Sequence, residues 1–269
     1  MLKKRIAFLG AGNMATALIR GIIEAELTKP EDIIISDINK EKLKIKNEKL
    51  KVKAAEDNGQ AIKEAEVIIL AVKPKDIEGL LAEIKDSLEP KKLVISIAAG
   101  ITTSYIEKIL KKEIPVIRVM PNTPVAVKEG ASAFSIGKYV SQEQEKIAES
   151  IFGAVGKAVK VEENLMDAVT ALSGSGPAYI FYIITSLIEA AVSLGLDKKT
   201  ATTLATQTVL GSAKLLQETG EEPAALKEKV ASKGGTTEAA LLVLDEGKLK
   251  EILDKALKAA AKRAKELKR

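Results

Sequence analysis

Hydrophobic residues fall along this chain in two rhythms. Through about residue 161, short runs of Ile, Val and Leu alternate with stretches whose apolar positions recur every three or four residues. The runs read as buried strands and the intervening stretches as amphipathic helices, the alternation of a parallel α/β sheet. Strands are predicted over residues 4–9, 33–37, 52–54, 67–72, 93–98 and 116–119; after Pro124 the rhythm loosens through 131–136, and a final strand is predicted over 157–161. Helices are predicted to begin near Asn13, Lys40, Asn58, Pro74 and Thr102, with another over 141–152. Thr102 or Thr103 suits an N-cap, and Pro74 suits a first helical turn.

From Glu163 onward the strand rhythm disappears. Alanine-, leucine- and lysine-rich helices are predicted over 164–172, 177–194, 197–219, 223–230, 236–244 and 248–267. Their punctuation is Ser173-Gly174-Ser175-Gly176-Pro177, Gly195, Gly220, Gly234-Gly235 and Gly247. The expected architecture is therefore α/β, with a Rossmann-type parallel sheet domain over 1–162 followed by an all-helical domain over 163–269. In such folds a ligand binds beyond the carboxyl ends of the strands, here where the two domains meet.

Composition narrows the chemistry. The 269 residues are 46% hydrophobic, enough to fill a core, and contain neither cysteine nor histidine. Disulfides, Cys-ligated metal centres and every Ser-His or Cys-His mechanism are excluded, and no metal site is expected. Proton transfer falls to Lys, Tyr, Thr, carboxylates or water. The richness in Lys and Glu, with Cys and His absent, is a composition met in thermophile proteins and in engineered sequences. The net charge of +5 is modest, lysines and glutamates interleave over residues 39–51, and aromatics make up only 3%. That pattern is a solvated surface without a stacking platform, so no nucleic-acid partner is expected. A mild positive field favours an anionic cofactor and substrate. The most apolar stretch, 178–196, approaches membrane-span length but is interrupted by Ser186, Glu189 and Ser193. It reads as a helix covered in an oligomer rather than a membrane anchor. A strand begins at about Lys4 with a glycine turn after it, unlike a signal peptide, and a cytoplasmic location is expected.

The first strand runs into Gly10-Ala11-Gly12-Asn13-Met14-Ala15 and a helix. Gly10 suits the tight turn, Gly12 the approach of backbone amides to a pyrophosphate, and Ala15 close helix–strand packing. Asp37 closes the run Ile33-Ile34-Ile35-Ser36 at about the distance expected of a ribose-binding carboxylate. Further polar loops follow strands at Ala71-Val72-Lys73-Pro74, Ser96-Ile97-Ala98-Ala99-Gly100 and Met120-Pro121-Asn122-Thr123-Pro124. Clustered at strand ends they favour a cofactor site, although proline alone also serves to shape turns. The second constellation is Ser232-Lys233-Gly234-Gly235-Thr236-Thr237, a glycine pair opening onto a helix. It suits a small carboxylate, with Thr237 able to reach an adjacent nitrogen, or else an ordinary N-cap made by Thr236. The Ser173 to Pro177 segment reads either as a helix break or as a close backbone approach to a partner.

Taken in order, Gly10-Ala11-Gly12-Asn13-Met14-Ala15, Ala71-Val72-Lys73-Pro74, Ser96-Ile97-Ala98-Ala99-Gly100, Arg118-x-Met120-Pro121-Asn122-Thr123-Pro124, Ser173-Gly174-Ser175-Gly176-Pro177-Ala178-Tyr179 and Gly234-Gly235-Thr236-Thr237 resemble the pyrroline-5-carboxylate reductases over nearly the whole chain. The resemblance implies hydride transfer from NADH or NADPH to the ring C=N of 1-pyrroline-5-carboxylate, giving L-proline. It implies a homodimer whose helical domains intertwine, assembled further into a decamer. It assigns the substrate to Ser232, Gly234, Gly235, Thr236 and Thr237. The cofactor falls to Gly10, Gly12, Asn13, Met14, Ser36, Asp37, Asn58, Ala71, Val72, Lys73, Pro74, Ala98, Gly100, Met120, Asn122 and Thr123. Thr237 ranks first as the catalytic contact and Lys73 second, because hydride transfer to an iminium needs orientation and charge stabilisation more than a strong acid. Two positions depart from the family pattern. Lys233 stands where proline is usual, and Asp37 would repel a 2′-phosphate, which points to NADH over NADPH although Lys40 and Lys42 lie nearby. The rival readings are a 3-hydroxyacid dehydrogenase or other imine reductase, and a cofactor-binding oligomer without catalysis.

Overall fold

A computed structural model of the chain describes residues 2–269. Eight strands form one sheet: β1 (Ile6–Leu9), β2 (Ile33–Ser36), β3 (Lys53–Ala54), β4 (Val67–Leu70), β5 (Leu93–Ser96), β6 (Val116–Met120), β7 (Gly130–Ile136) and β8 (Gly156–Lys160). Their order is β3-β2-β1-β4-β5-β6-β7-β8, with every neighbouring pair parallel except β6 and β7. The reversal at β7 follows from the short connection 121–129, since a parallel return needs a crossover of about a dozen residues or more. Every residue of β1, β2, β4 and β5 is buried, as their unbroken apolar runs require of strands covered on both faces.

The covering helices are α1 (Asn13–Glu24), α2 (Lys40–Leu50), α3 (Asn58–Glu64), α4 (Ile77–Ile84), α5 (Thr103–Leu110) and α6 (Gln142–Gly153). Ile6, Phe8, Ile35 and Ile69 point to one face and meet Leu18, Ile22, Ile151 and Phe152 of α1 and α6. Ala7, Leu9, Ile68 and Val94 point to the other and meet Ile62, Leu81 and Ile106 of α3, α4 and α5. Fully burying each large aliphatic or aromatic side chain contributes about 1.5–3 kcal/mol, so the sheet is held from both sides. The strands stop earlier than predicted, at Ser36, Leu70 and Ser96, because the polar loop residues beyond them leave the ladder. Pro74 opens a 3-10 turn, Pro74–Asp76, rather than α4 itself.

The remaining helices are α7 (Met166–Val169), α8 (Gly176–Ser193), α9 (Lys198–Thr219), α10 (Pro223–Val230), α11 (Thr236–Glu246) and α12 (Leu249–Glu266). The anticipated punctuation at Ser173 to Pro177 does not interrupt the helical path. A π turn, Thr170–Gly174, carries it through, closed by the Ser175 N–H on the Thr170 carbonyl at 2.9 Å, and Glu163–Ser193 is one continuous helical stretch. Pro177 offers no N–H to the Ser173 carbonyl four residues back. That carbonyl instead accepts the Asn122 side-chain amide at 3.1 Å.

The chain forms two compact units. The first contains the residues up to Ser175 together with Ala260–Arg269 and holds the whole sheet. The second, Gly176–Ala259, is helical, with α8 packed on α9. In it Phe181 and Tyr182 are 62% and 76% exposed, an apolar surface that one copy of the chain leaves uncovered. By length and composition Glu163–Ser193 is apolar enough to cross a membrane, a test that the core helix of an oligomer passes equally.

Candidate active site

The turn after β1 is built so that only glycine fits its first position. Gly10 has φ of +104°, and a Cβ there would lie 2.7 Å from the Ala71 carbonyl oxygen. Its N–H donates to the Ser36 carbonyl at 2.8 Å, joining the ends of β1, β2 and β4. Gly12 differs. It N-caps α1 with ordinary backbone angles and no side-chain cap, and a Cβ on it would meet nothing within 4 Å. No neighbour in the fold demands glycine at Gly12, which opens onto free space above the first-turn amides of Asn13, Met14 and Ala15. Helix geometry provides those amides with no acceptor, so the cradle fits a pyrophosphate.

Asp37 is fixed by the same turn. Its carboxylate accepts the Ala11 N–H at 2.8 Å through Oδ2 and the Asn39 N–H at 2.9 Å through Oδ1. The acid thus stands beside the glycine loop at the end of β2, with Ser36 buried next to it. Lys40 donates to the Glu56 carbonyl, and the side chain of Lys42 lies outside the described residues. Half-buried Asn58 opens α3 behind its N-cap Asp57 and donates to Glu83 at 3.0 Å.

Further along the same sheet edge, Ala71 and Val72 are half-buried, whereas Lys73 and Pro74 are exposed. Lys73 precedes the 3-10 turn. Ala98 is buried, and Gly100 adopts φ of +76°. After β6, Met120 is half-buried and Thr123 exposed. Asn122 is 92% buried in its loop, its Oδ1 accepting the Ala131 N–H at 2.9 Å while its amide reaches Ser173. Any contact this loop makes with a ligand therefore falls to its backbone and to Met120 and Thr123. A Cβ on Gly174 would sit 2.6 Å from Met120 Cε, so the π turn approaches this loop closely.

Arg118 carries a role that the sequence left unread. It is 2% exposed in β6, with one guanidinium nitrogen 3.5 Å from Glu163. Glu163 also accepts the Thr103 N–H at 2.8 Å and the Thr103 hydroxyl at 2.7 Å, fastening the start of α5. A cavity of about 270 Å³ opens beside Arg118, lined also by Pro74, Lys75, Gly100, Asp167 and Leu267. The available signal was one charged residue in the run Val116-Ile117-Arg118-Val119.

In the second unit, Gly234 has φ of +74° and Gly235 is the N-cap of α11, with no side-chain cap. Thr236 is therefore the first helical residue rather than the cap, and no side-chain oxygen caps α11. The Gly235 N–H donates to the Ser232 carbonyl at 3.0 Å, while a Cβ on Gly235 would meet Ser232 Oγ at 2.7 Å. The Gly234 N–H donates to the Glu238 carboxylate at 2.6 Å, a contact that the sequence reading did not include. Lys233 is exposed and Thr237 half-buried. Among the described residues no cluster of metal-ligating side chains is present.

Comparison with known proteins covers both regions. A family model described as pyrroline-5-carboxylate reductase dimerisation matches residues 163–267, and one described as NADP oxidoreductase coenzyme F420-dependent matches residues 5–100. The pyrroline-5-carboxylate reductase of Methanosarcina acetivorans is 45% identical over 267 residues, spanning 99% of each chain. Pyrroline-5-carboxylate reductase 1 of Bacillus subtilis is 41% identical over 266 residues, 98% of this chain and 90% of that one. Among solved structures, a pyrroline-5-carboxylate reductase from Coxiella burnetii superposes with a TM-score of 0.95 at 45% identity over all of both chains. The Plasmodium falciparum pyrroline carboxylate reductase with NADP bound superposes with a TM-score of 0.89 at 31% identity over 99% of each chain.

Proposed function

This chain belongs to the pyrroline-5-carboxylate reductases, and from that premise we propose how its own residues carry the reaction. It is an NAD(P)H-dependent oxidoreductase that reduces the C=N bond of 1-pyrroline-5-carboxylate to L-proline, the last step of proline biosynthesis. It acts on a small molecule and assembles through its helical dimerisation region. We place it in the cytoplasm, away from membranes, as a homodimer that builds further into a decamer.

The nicotinamide nucleotide supplies the hydride. Gly10, Gly12, Asn13 and Met14 cradle its pyrophosphate, Ser36 and Asp37 hold the adenosine ribose, and Asn58 borders the adenosine. Ala71, Val72, Lys73, Pro74, Ala98, Gly100, Met120, Asn122 and Thr123 surround the remainder. The empty space over Gly12 supports this reading most directly. Asp37, anchored by two backbone amides, accepts from ribose hydroxyls and disfavours a 2′-phosphate, so NADH is preferred.

The substrate carboxylate binds in the loop of Ser232, Gly234, Gly235 and Thr236, at the Gly234 amide and the first-turn amides of Thr236 and Thr237, where the glycine cap and the positive end of α11 favour an anion. The ring nitrogen, protonated from water, donates its N–H to the Thr237 hydroxyl. That contact holds the C=N carbon in place while hydride adds, and the nitrogen retains the proton it already carried. No strong acid is needed, which accords with a chain lacking histidine. Exposed Lys73 contributes positive charge near the cofactor rather than a proton.

The test follows absorbance of the reduced cofactor with 1-pyrroline-5-carboxylate, NADH and NADPH in parallel and proline identified as product. Oxidation yielding proline is expected, with the lower KM for NADH. A KM for NADPH well below that for NADH would overturn the Asp37 reading. Thr237→Ala should lower kcat by at least about tenfold while NADH affinity stays near that of the parent. Unchanged turnover would remove Thr237 from the mechanism.

A further inference from the structure

We infer that the backbone of Leu267 through Arg269 is a positioning element for the loop that follows β5, and that it sets NAD(P)H affinity through that loop. The inference rests on the reading above that Ala98 and Gly100 line the cofactor.

Three hydrogen bonds tie the two segments. The Arg269 N–H donates to the Gly100 carbonyl at 2.7 Å. The Arg269 main-chain oxygen accepts both the Thr102 N–H at 3.0 Å and the Thr102 hydroxyl at 2.9 Å. The approach is close enough that a Cβ on Gly100 would lie 2.9 Å from the Leu267 carbonyl oxygen. The same Thr102 oxygen accepts the Tyr105 N–H at 3.1 Å, so the N-cap of α5 and the strap share one atom. All of these residues belong to the sheet-bearing unit.

The loop needs such a support. Its flanks, Ala98 and Ile101, are anchored in the core under α4 and α5. Its tip, Ala99 and Gly100, borders the cavity of about 270 Å³ that Pro74, Leu267 and Arg269 also line. Ala99 is exposed there, whereas Gly100 is buried against the Leu267 backbone and held through its carbonyl by the Arg269 N–H, so the last residues of the chain are what orders the tip. A loop ordered before ligand arrives loses less conformational freedom on binding, which appears as affinity.

Arg269→Pro and Arg269→Ala both remove the side chain, and proline in addition removes the N–H while restricting the backbone at 268 and 269, so the pair tests the backbone tie rather than the side chain. The NADH Kd, read by fluorescence titration, should be about three- to tenfold higher for Arg269→Pro than for Arg269→Ala. KM for 1-pyrroline-5-carboxylate at saturating NADH and the melting temperature should match between the two. Equal NADH affinities would overturn the inference, as would a parallel loss of affinity, substrate KM and thermal stability, which marks a merely structural contact. Gly12→Val in the otherwise unchanged chain serves as the control for the underlying reading. Loss of NADH binding there supports it, whereas retained binding would overturn the cofactor site and this inference with it.

Discussion

Glu238 shows how one side chain answers two demands. Three positions after the Gly235 cap, its carboxylate reaches back past the cap to the Gly234 N–H at 2.6 Å, tying the turn before α11 to its first turn. That amide is also one of those proposed for the substrate carboxylate, so Glu238 competes with substrate for it and adds a like charge. Glu238→Ala should lower KM for 1-pyrroline-5-carboxylate about threefold or more, at some loss of α11 stability. A raised KM would instead make Glu238 a substrate-site support. The glycine pair and the two threonines were legible because their residue types carry their chemistry. Glu238 was not, because a glutamate in a first helical turn ordinarily serves only the dipole. Asp37 was visible as a carboxylate at a strand end, but only the folded turn brings the Ala11 amide to it. Arg118 and Glu163 are 45 residues apart, and nothing local to either reveals the pairing.

At the scale of elements, the end of α3 depends on a residue from another part of the chain. Lys92 is 5% exposed, and its amine donates to the carbonyls of Ile62 and Ala65 at 2.8 Å each, with Lys63 at 3.5 Å. The Ile62 carbonyl also accepts the Ala65 N–H at 3.3 Å, so Lys92 adds a second donor there and reaches the Ala65 carbonyl beyond the helix, and a cation suits that end of the dipole. Lys92→Met should destabilise the fold by about 1–3 kcal/mol in denaturant melts, since the buried Ala65 carbonyl loses the Lys92 donor and the Ile62 carbonyl keeps only the Ala65 N–H. Burial pushes the Lys92 amine below the ordinary lysine value of 10.5. Between that lowered value and 10.5 the unfolded chain holds more protons than the folded one, so this residue makes stability rise with pH across that window. The gain should be missing in Lys92→Met, and an identical pH profile would refute the assignment. Strand and helix types were readable from periodicity. The π turn was not, because Ser173-Gly174-Ser175-Gly176-Pro177 has the composition of a break, and the Asn122 amide that satisfies the Ser173 carbonyl comes from a distant loop.

For the whole molecule, the exposed apolar side chains of α8 set the expectation. Phe181 and Tyr182 remain largely exposed in a single copy, within the region matched by the dimerisation family. Light scattering should give at least twice the 28.7 kDa of one chain, and the melting temperature should rise with protein concentration. Phe181→Glu should shift the assembly toward monomer, because a charge in a covered apolar interface is costly unless paired. A single-chain mass with a concentration-independent melt would refute the assembly.

The sequence by itself determined the doubly wound sheet, the all-helical region after it, the glycine turn between the first strand and helix and the absence of cysteine and histidine chemistry. These depend on hydrophobic period and residue type, which act over a few neighbours. Only the tertiary structure decided that Asp37 locks onto the glycine turn, that Asn122 serves the π turn, that Arg118 pairs with Glu163 and that Arg269 braces Gly100. Each joins segments far apart in the chain, and a buried polar group acquires its partner from the packing of elements rather than from its own neighbourhood.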